Sequence, residues 1–137
     1  MVQNRTIATT TVPLTTPGFV LSGEWISQLG YGSGPNVPRI RTNVSGGSIS
    51  FPLTSASAFY IVGSVNFNHG LFDVTMTPSL NVGPQQYNGS SSWVGLDTIL
   101  YLATGLNRSQ TYQIEMKNDS PDMALDLSSI VVLDTPP

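Results

Sequence analysis

The segment LFDVTMT, residues 71–77, alternates apolar and polar side chains, and this alternation decides the fold class. Phe72, Val74 and Met76 share one face, because successive side chains of a strand point to opposite sides. The segment TYQIEMKN, residues 111–118, repeats the pattern with apolar residues again at every second position. Both segments therefore predict strands with one solvated face, which is typical of antiparallel sheets.

Two further segments, AFYIVGSV (58–65) and DTILYLATGL (97–106), are apolar on both faces and predict central strands that are buried on both sides. Residues 6–12, 18–25, 47–53 and 126–134 also read as strands, and no segment carries a helical stripe. The run GYGSGPNVP, residues 30–38, holds too many glycines and prolines for regular structure.

Eight or nine strands without crossover helices predict an all-β fold, an antiparallel two-sheet β-sandwich. The expected core consists of alternate residues of these strands: Phe51, Phe59, Ile61, Phe72, Val74, Met76, Leu100, Leu102, Ile114, Met116, Leu127 and Val132.

Composition narrows the class of protein. The 137 residues predict a single domain, with DTPP at residues 134–137 as the start of a linker. Only 9% of the residues are charged and the net charge is −3, so the chain offers no basic patch for nucleic acid. There is no apolar run long enough to cross a membrane, so we expect this domain itself to make no membrane contact.

Five of the nine asparagines lie in Asn-x-Ser/Thr sequons, at Asn4, Asn43, Asn88, Asn107 and Asn118. Because 31 residues are Ser or Thr, about two such sequons would arise by chance. The excess predicts a secreted or cell-surface glycoprotein, with glycan on at least one of Asn43, Asn88 and Asn107, which lie at or beside turns. A hydroxyl-rich composition alone is the alternative explanation.

Catalytic chemistry is poorly represented, so we predict that the chain is not an enzyme. There is no cysteine and a single histidine, His69, which the NHG context predicts to be a turn residue. Glycoside hydrolysis needs two facing carboxylates, and only Glu24, beside Trp25, has an aromatic setting. Residues 118–126 supply four oxygen-bearing side chains, but their spacing differs from that of a calcium loop and predicts a solvated turn. No metal or cofactor is expected.

Carbohydrate binding needs only an aromatic plane and short polar side chains, and three predicted loops supply them. The candidate ligand-binding residues are Trp93, Tyr87, Gln85, Gln86, Tyr31, Asn66, Asn68 and His69. Trp93 lies in a Gly- and Ser-rich loop, where its indole either faces a ligand or covers an open end of the sandwich as a plug. Trp25 ends an apolar strand and is expected in the core.

The order of several short motifs resembles an extracellular domain of mushroom-forming (basidiomycete) fungi. The motifs are Gly-Glu-Trp at 23–25, Gly63, Asn-His-Gly at 68–70, the alternating strand from Phe72, Gly-Leu at 105–106, Asn118 and Asp126. The chain is also similar to galactose-binding-domain-like jelly rolls among carbohydrate-binding modules and lectins, which implies a jelly-roll sandwich. It departs from the fungal pattern at residues 9–11 and 111–112, where threonines and a tyrosine stand in place of acidic residues and histidine.

Two functions of different class follow from these features. The first is a non-catalytic carbohydrate-binding domain, either lectin-like or the ligand-sensing ectodomain of a secreted or surface-anchored fungal protein, with a glycan or polysaccharide as its partner. The second is a structural or adhesive module of a wall or coat that associates with itself as a homo-oligomer. A small glycoside-active enzyme is a third, weaker alternative.

Overall fold

A computed structural model describes residues 7–29, 38–79 and 85–135 of the chain. These residues form eleven strands and no helix. The strands are β1 (Ala8–Pro13), β2 (Val20–Ser22), β3 (Ile26–Leu29), β4 (Pro38–Thr42), β5 (Ser48–Leu53), β6 (Ala58–Val65), β7 (Leu71–Thr77), β8 (Gln85–Asn88), β9 (Gly95–Ala103), β10 (Tyr112–Asn118) and β11 (Leu125–Asp134).

The strands form two antiparallel sheets. A six-stranded sheet has the order β3-β4-β11-β6-β9, and β1 also pairs with β11. A five-stranded sheet has the order β2-β5-β10-β7-β8. Strand β11 pairs with β4 through Leu125–Leu127 and with β1 through residues 129–134, while β6 lies along its other side. The predicted two-sheet β-sandwich is confirmed.

The core lies between the sheets and is filled by the alternating residues that the sequence predicts. In β7 the burial alternates residue by residue, with Phe72, Val74 and Met76 inside, and β10 behaves in the same way. Of the twelve predicted core residues, nine are buried, and Leu100 and Val132 are partly buried and pack against the core. Period-two patterning therefore sets which face of these strands is apolar.

Strand β9 contradicts the prediction of a central strand buried on both faces. It pairs with β6 only and lies at the edge of the described six-stranded sheet. Leu102, predicted in the core, is 55% exposed, and Ile99 is 53% exposed. One extra residue in β9, Leu100, shifts the pairing between Ile61 and Val62. Tyr60 lies opposite Leu102 and Val62 opposite Ile99, and these four side chains share the outer face.

The prediction of eight or nine strands was too low because β3, β4 and β8 are short. Each has four or five residues, too few to reveal a period of two. The predicted loop at residues 30–38 lies outside the described residues except for Pro38, which begins β4. Asp134, predicted to start a linker, is the last residue of β11 and pairs with Arg108.

Candidate functional site

Three loops meet at one end of the sandwich: residues 66–70, 89–94 and 119–124. Backbone hydrogen bonds join the first two, from Ser91 N to Asn66 O (3.0 Å) and from Gly89 N to Gly70 O (2.8 Å). Ala124 N donates to Asn68 O (2.8 Å) and joins the third loop to the first. A Cβ at Gly70 would lie 2.6 Å from Ser120 Oγ, so this position needs glycine for the close approach. The three loops form one hydrogen-bonded unit.

This end of the molecule carries large apolar side chains that are exposed. Trp93 is 79% exposed and Phe67 is 74% exposed, and Val94 (54%) and Met123 (39%) lie on the same three loops. We call these four residues the exposed loop cluster. Aromatic and aliphatic groups of this size are normally buried, so their exposure on three hydrogen-bonded loops makes this end of the sandwich a candidate binding surface.

The exposure of Trp93 decides between the two interpretations of its indole. A plug over the open end of the sandwich would be buried, so that alternative is wrong. Its backbone N–H donates to Ser91 Oγ at 3.2 Å, a local turn that projects the ring outward. Trp25, in contrast, is partly buried against the core and its Nε1–H donates to Ser22 O at 3.0 Å. Trp25, predicted in the core, therefore lies at its margin.

Two predicted ligand contacts, Asn66 and His69, are buried at 8% and 3% exposure and do not face solvent. The Asn66 Oδ1 accepts the backbone N–H of Phe67 at 2.8 Å, and His69 Nδ1 pairs with Asn68 Oδ1 at 3.0 Å. The prediction of a turn histidine is confirmed. These polar groups shape the turn that exposes Phe67. The sequence analysis did not select Phe67, and the only sequence feature that could have indicated it is its position between two asparagines.

The remaining predicted contacts divide between surface and core. Gln86 is exposed, and its amide donates to Asp73 and Asp119 (3.2 and 2.6 Å). Gln85 is half-buried and accepts the Tyr87 hydroxyl at 3.4 Å. Tyr87 was predicted to face a ligand, but its ring stacks on Phe72 and meets Tyr101 edge-on, because β8 turns it inward. Tyr31 lies outside the described residues.

A buried arginine anchors two of the three loops. Arg39 is 4% exposed, and its guanidinium donates to Asp97 at 2.8 Å and to Ser64 at 3.2 Å. It also lies 3.5 Å from Asp126, which is equally buried. Asp97 follows the loop that holds Trp93, and Asp126 follows the loop that holds Met123. The Arg39 guanidinium therefore links β9 and β11 close to the points where the two loops enter these strands.

The imidazole of His69 lies beside this charged cluster. Burial lowers the pKa of His69 below its ordinary value, the carboxylate of Asp126 partly opposes that shift, and Arg41 adds to it. Among the described residues, no group bonds its Nε2. Because Nδ1 donates to Asn68, protonation would place a buried charge at Nε2, so the folded protein favours neutral imidazole.

We therefore expect stability to depend on the protonation of His69. A histidine with a lowered folded-state pKa contributes stability that is complete above the unfolded pKa, about 6.5, and is lost as the pH falls below it. The melting temperature should thus fall between pH 7 and pH 5 by more in the wild type than in His69→Gln. Since the chain has one histidine, equal slopes for the two proteins would contradict this expectation.

The sequons occupy different environments. Asn43, Asn88 and Asn107 are exposed at or beside turns. In Asn88 and Asn107 the side-chain oxygen accepts the backbone N–H of the sequon serine, Ser90 or Ser109, at 2.9 Å. Asn118 is 1% exposed, and its amide donates to Val44 O and Met123 O, so this fold has no room for a glycan there. Asn4 lies outside the described residues.

In the described part of the chain, no group of three or more His, Cys, Asp or Glu side chains is placed to hold a metal ion. Three of the four oxygen-bearing side chains at 118–126 have other partners. The Asn118 amide donates to a backbone carbonyl, Asp119 accepts from Gln86, and Asp126 lies beside Arg39. No helix in the same residues is long and apolar enough to span a bilayer.

No protein-family model and no curated protein matches the sequence. Solved structures do match the fold. The chain is similar to the CBM35 module from Cellvibrio japonicus Abf62, with a TM-score of 0.61, 13% identity and coverage of 94% of this chain and 95% of that one. It is also similar to the CBM36-1 domain of a multidomain xylanase from the hindgut metagenome of Trinervitermes trinervoides, with a TM-score of 0.54, 17% identity and coverage of 91% and 96%.

Two esterases match over part of their length. A family two carbohydrate esterase from Cellvibrio japonicus has a TM-score of 0.64 and 15% identity, and the match covers 95% of this chain and 35% of the esterase. A two-domain esterase active on acetylated mannans has a TM-score of 0.65 and 10% identity, with coverage of 94% and 37%. The chain thus spans about a third of these enzymes, but nearly all of each binding module. Its fold is the jelly-roll β-sandwich of the CBM35 and CBM36-1 domains.

Proposed function

We propose that this domain binds carbohydrate without catalysing its conversion, and that the exposed loop cluster is the binding surface. The observation that carries the proposal is the pair of outward-facing aromatic rings, Trp93 and Phe67, on loops that hydrogen bonds hold together. The apolar face of a sugar ring stacks on such planes, while the sugar hydroxyls pair with neighbouring amides and backbone groups. The folds of the two binding modules support the same function.

The charges around the cluster favour a neutral glycan. The three loops contain no lysine or arginine, and their two charged residues, Asp119 and Asp122, are both acidic. Acidic sugars would meet like charge from these two residues. A neutral oligosaccharide or polysaccharide with an exposed apolar ring face fits this surface best.

We place the domain outside the cell, as part of a secreted or surface protein of the fungal type that its motifs resemble. The exposure of three sequons at or beside turns supports this location, because glycans need surface positions. Whether it acts as a lectin or as the sensing module of a longer protein depends on the sequence that surrounds it.

Tryptophan fluorescence tests the proposal, since the two indoles differ in exposure. Iodide should quench Trp93 in the free protein and leave the partly buried Trp25 largely unaffected. A panel of neutral oligosaccharides should contain at least one that protects Trp93 from iodide and shifts its emission to the blue. Quenching that no neutral or acidic glycan alters would reject the site.

One observation favours the adhesive alternative. The outer face of the six-stranded sheet presents Tyr60, Val62, Ile99 and Leu102 side by side, and the last two are more than half exposed. If this face drives self-association, sedimentation velocity should detect oligomers whose amount rises with protein concentration and does not change with added sugar.

A further inference from the structure

A groove with a volume of about 360 Å³ opens beside β3. It neighbours the loop of residues 119–124, because the Asn118 amide donates both to Val44 O and to Met123 O. It is lined by Glu24, Ile26, Arg41, Asn43 and Val44. Ile26 is 57% exposed and Val44 is 40% exposed, although both are aliphatic residues that burial would favour. The groove lining thus combines two apolar side chains, which we call its floor, with two side chains of opposite charge, a mixture typical of a small-molecule site.

The charged walls of the groove have unused hydrogen-bonding capacity. Among the described residues, Glu24 makes no ion pair or hydrogen bond that would occupy its carboxylate. Arg41 uses its Nε–H to bond Asn43 Oδ1 at 2.8 Å, and its terminal N–H groups have no recorded partner in the same residues. The carboxylate can accept and the guanidinium can donate hydrogen bonds to a polar ligand.

Asn43 is part of this wall and begins the sequon Asn43-Val44-Ser45. Arg41 holds its side-chain oxygen, so the amide nitrogen, the atom that carries an N-linked glycan, is left without a bond in the described residues. A glycosylated asparagine keeps its carbonyl oxygen and one N–H, so the Arg41 bond can persist. Neither Asn88 nor Asn107 lines this groove.

Hydrogen bonds to Asn118 hold the turn that carries Asn43 in place. Gly46 N donates to Asn118 O at 2.7 Å, and Asn118 N donates to Gly47 O at 2.9 Å. The buried Asn118 amide also donates to Val44 O at 3.3 Å. Asn43 and the neighbouring Val44 therefore keep a fixed relation, which lowers the entropy that an attached sugar loses on packing.

We propose that Asn43 carries an N-linked glycan whose first sugar lies in this groove and stabilises the fold. The apolar ring face and the acetamide methyl of N-acetylglucosamine would cover Ile26 and Val44. Its hydroxyl and acetamide N–H groups would donate to Glu24, and its oxygens would accept from Arg41. A covalently attached group that packs only on the folded state raises its stability. This inference does not depend on sugar binding at the exposed loop cluster.

The test uses the full chain secreted from a eukaryotic host. Ser45→Ala removes the sequon and leaves the Asn43 bond to Arg41 intact, and Ser90→Ala and Ser109→Ala are matched controls at the other two exposed sequons. Intact mass should fall by one glycan in Ser45→Ala. Its melting temperature should fall by about 3 °C, a shift readily measured in a domain of this size, while the controls change by less than about 1 °C. Trimming to a single N-acetylglucosamine should retain the stabilisation.

Two further comparisons isolate the groove. In protein made in bacteria, which carries no glycan, Ser45→Ala should leave the melting temperature unchanged. In the secreted protein, Ile26→Ala should keep the glycan and abolish most of the Ser45→Ala effect, because the floor is lost. An unoccupied Asn43, an equal shift at all three sequons, an equal shift in bacterial protein, or a shift that Ile26→Ala leaves intact would each overturn the proposal.

Discussion

Replacing Trp93 by alanine is expected to weaken glycan binding about 30-fold and leave the fold unaffected. Truncation of a central aromatic anchor costs about 2 kcal/mol or more of binding free energy, and 1.4 kcal/mol is a factor of ten in affinity. Since 79% of Trp93 is exposed, little packing is lost, and the melting temperature should move by less than about 1 °C. Isothermal titration with the glycan selected by fluorescence measures the first effect, and calorimetric unfolding measures the second.

Two matched variants make the result specific to the exposed loop cluster. Phe67→Ala should weaken binding about tenfold, because it removes the second aromatic plane. Leu102→Ala removes a large exposed side chain from the outer sheet face and should leave affinity unchanged. If Leu102→Ala weakened binding as much as Trp93→Ala, the ligand would occupy the sheet face instead. Unchanged affinity in both aromatic variants would reject the loops as the site.

Replacing Arg39 by methionine is expected to cost about 3–5 kcal/mol of unfolding free energy, because it leaves the buried carboxylate of Asp126 without its cation. The variant also removes the hydrogen bond to Ser64, which is 3% exposed, and the ion pair with Asp97, which follows the Trp93 loop. The melting temperature should fall by about 10 °C in a domain of this length. Urea unfolding followed by circular dichroism measures the loss.

A double variant distinguishes the cost of an unpaired buried charge from the cost of lost packing. Arg39→Met with Asp126→Leu removes both buried charges, and it should recover most of the stability that Arg39→Met loses. A single variant that unfolds within about 1 kcal/mol of the wild type would mean that the Arg39 cluster contributes little. If the single variant folds, its glycan affinity should also fall, because two binding loops lose their anchor.

The two predictions test different parts of the same end of the sandwich. Trp93 and Phe67 supply the surface that a sugar would contact, while Arg39 holds the strand ends from which two of the loops emerge. A loop that presents exposed aromatic rings gains no stability from packing them, so its shape must come from hydrogen bonds and buried charges. The polar side chains of Asn66, Asn68 and His69 serve that purpose on the first loop, residues 66–70.

Part of the proposed binding surface could be predicted from the sequence, because the signal for it lies in neighbouring residues. Trp93 lies in a Gly- and Ser-rich segment, where its neighbours offer nothing to pack on, so a choice between platform and plug could be stated in advance. Tyr87, six residues earlier, has a similar setting, yet it stacks on Phe72 and Tyr101. Local sequence does not distinguish the two aromatic residues, because β8 was too short to detect and its pairing with β7 is a tertiary contact.

The sequence by itself determined the strands and their inward faces, because the alternation of side chains in β7 and β10 is a property of the extended backbone and needs no partner. Only the tertiary structure decided which strands are central and which loops meet. The segment of β9 is as apolar as that of β6, but β6 lies between two strands and β9 has one described partner, so Ile99 and Leu102 remain exposed. Likewise, residues 67, 93 and 123 come together only because strands distant in sequence end at the same edge. Strand order and loop contacts depend on pairings between distant segments, and a period of two carries no information about them.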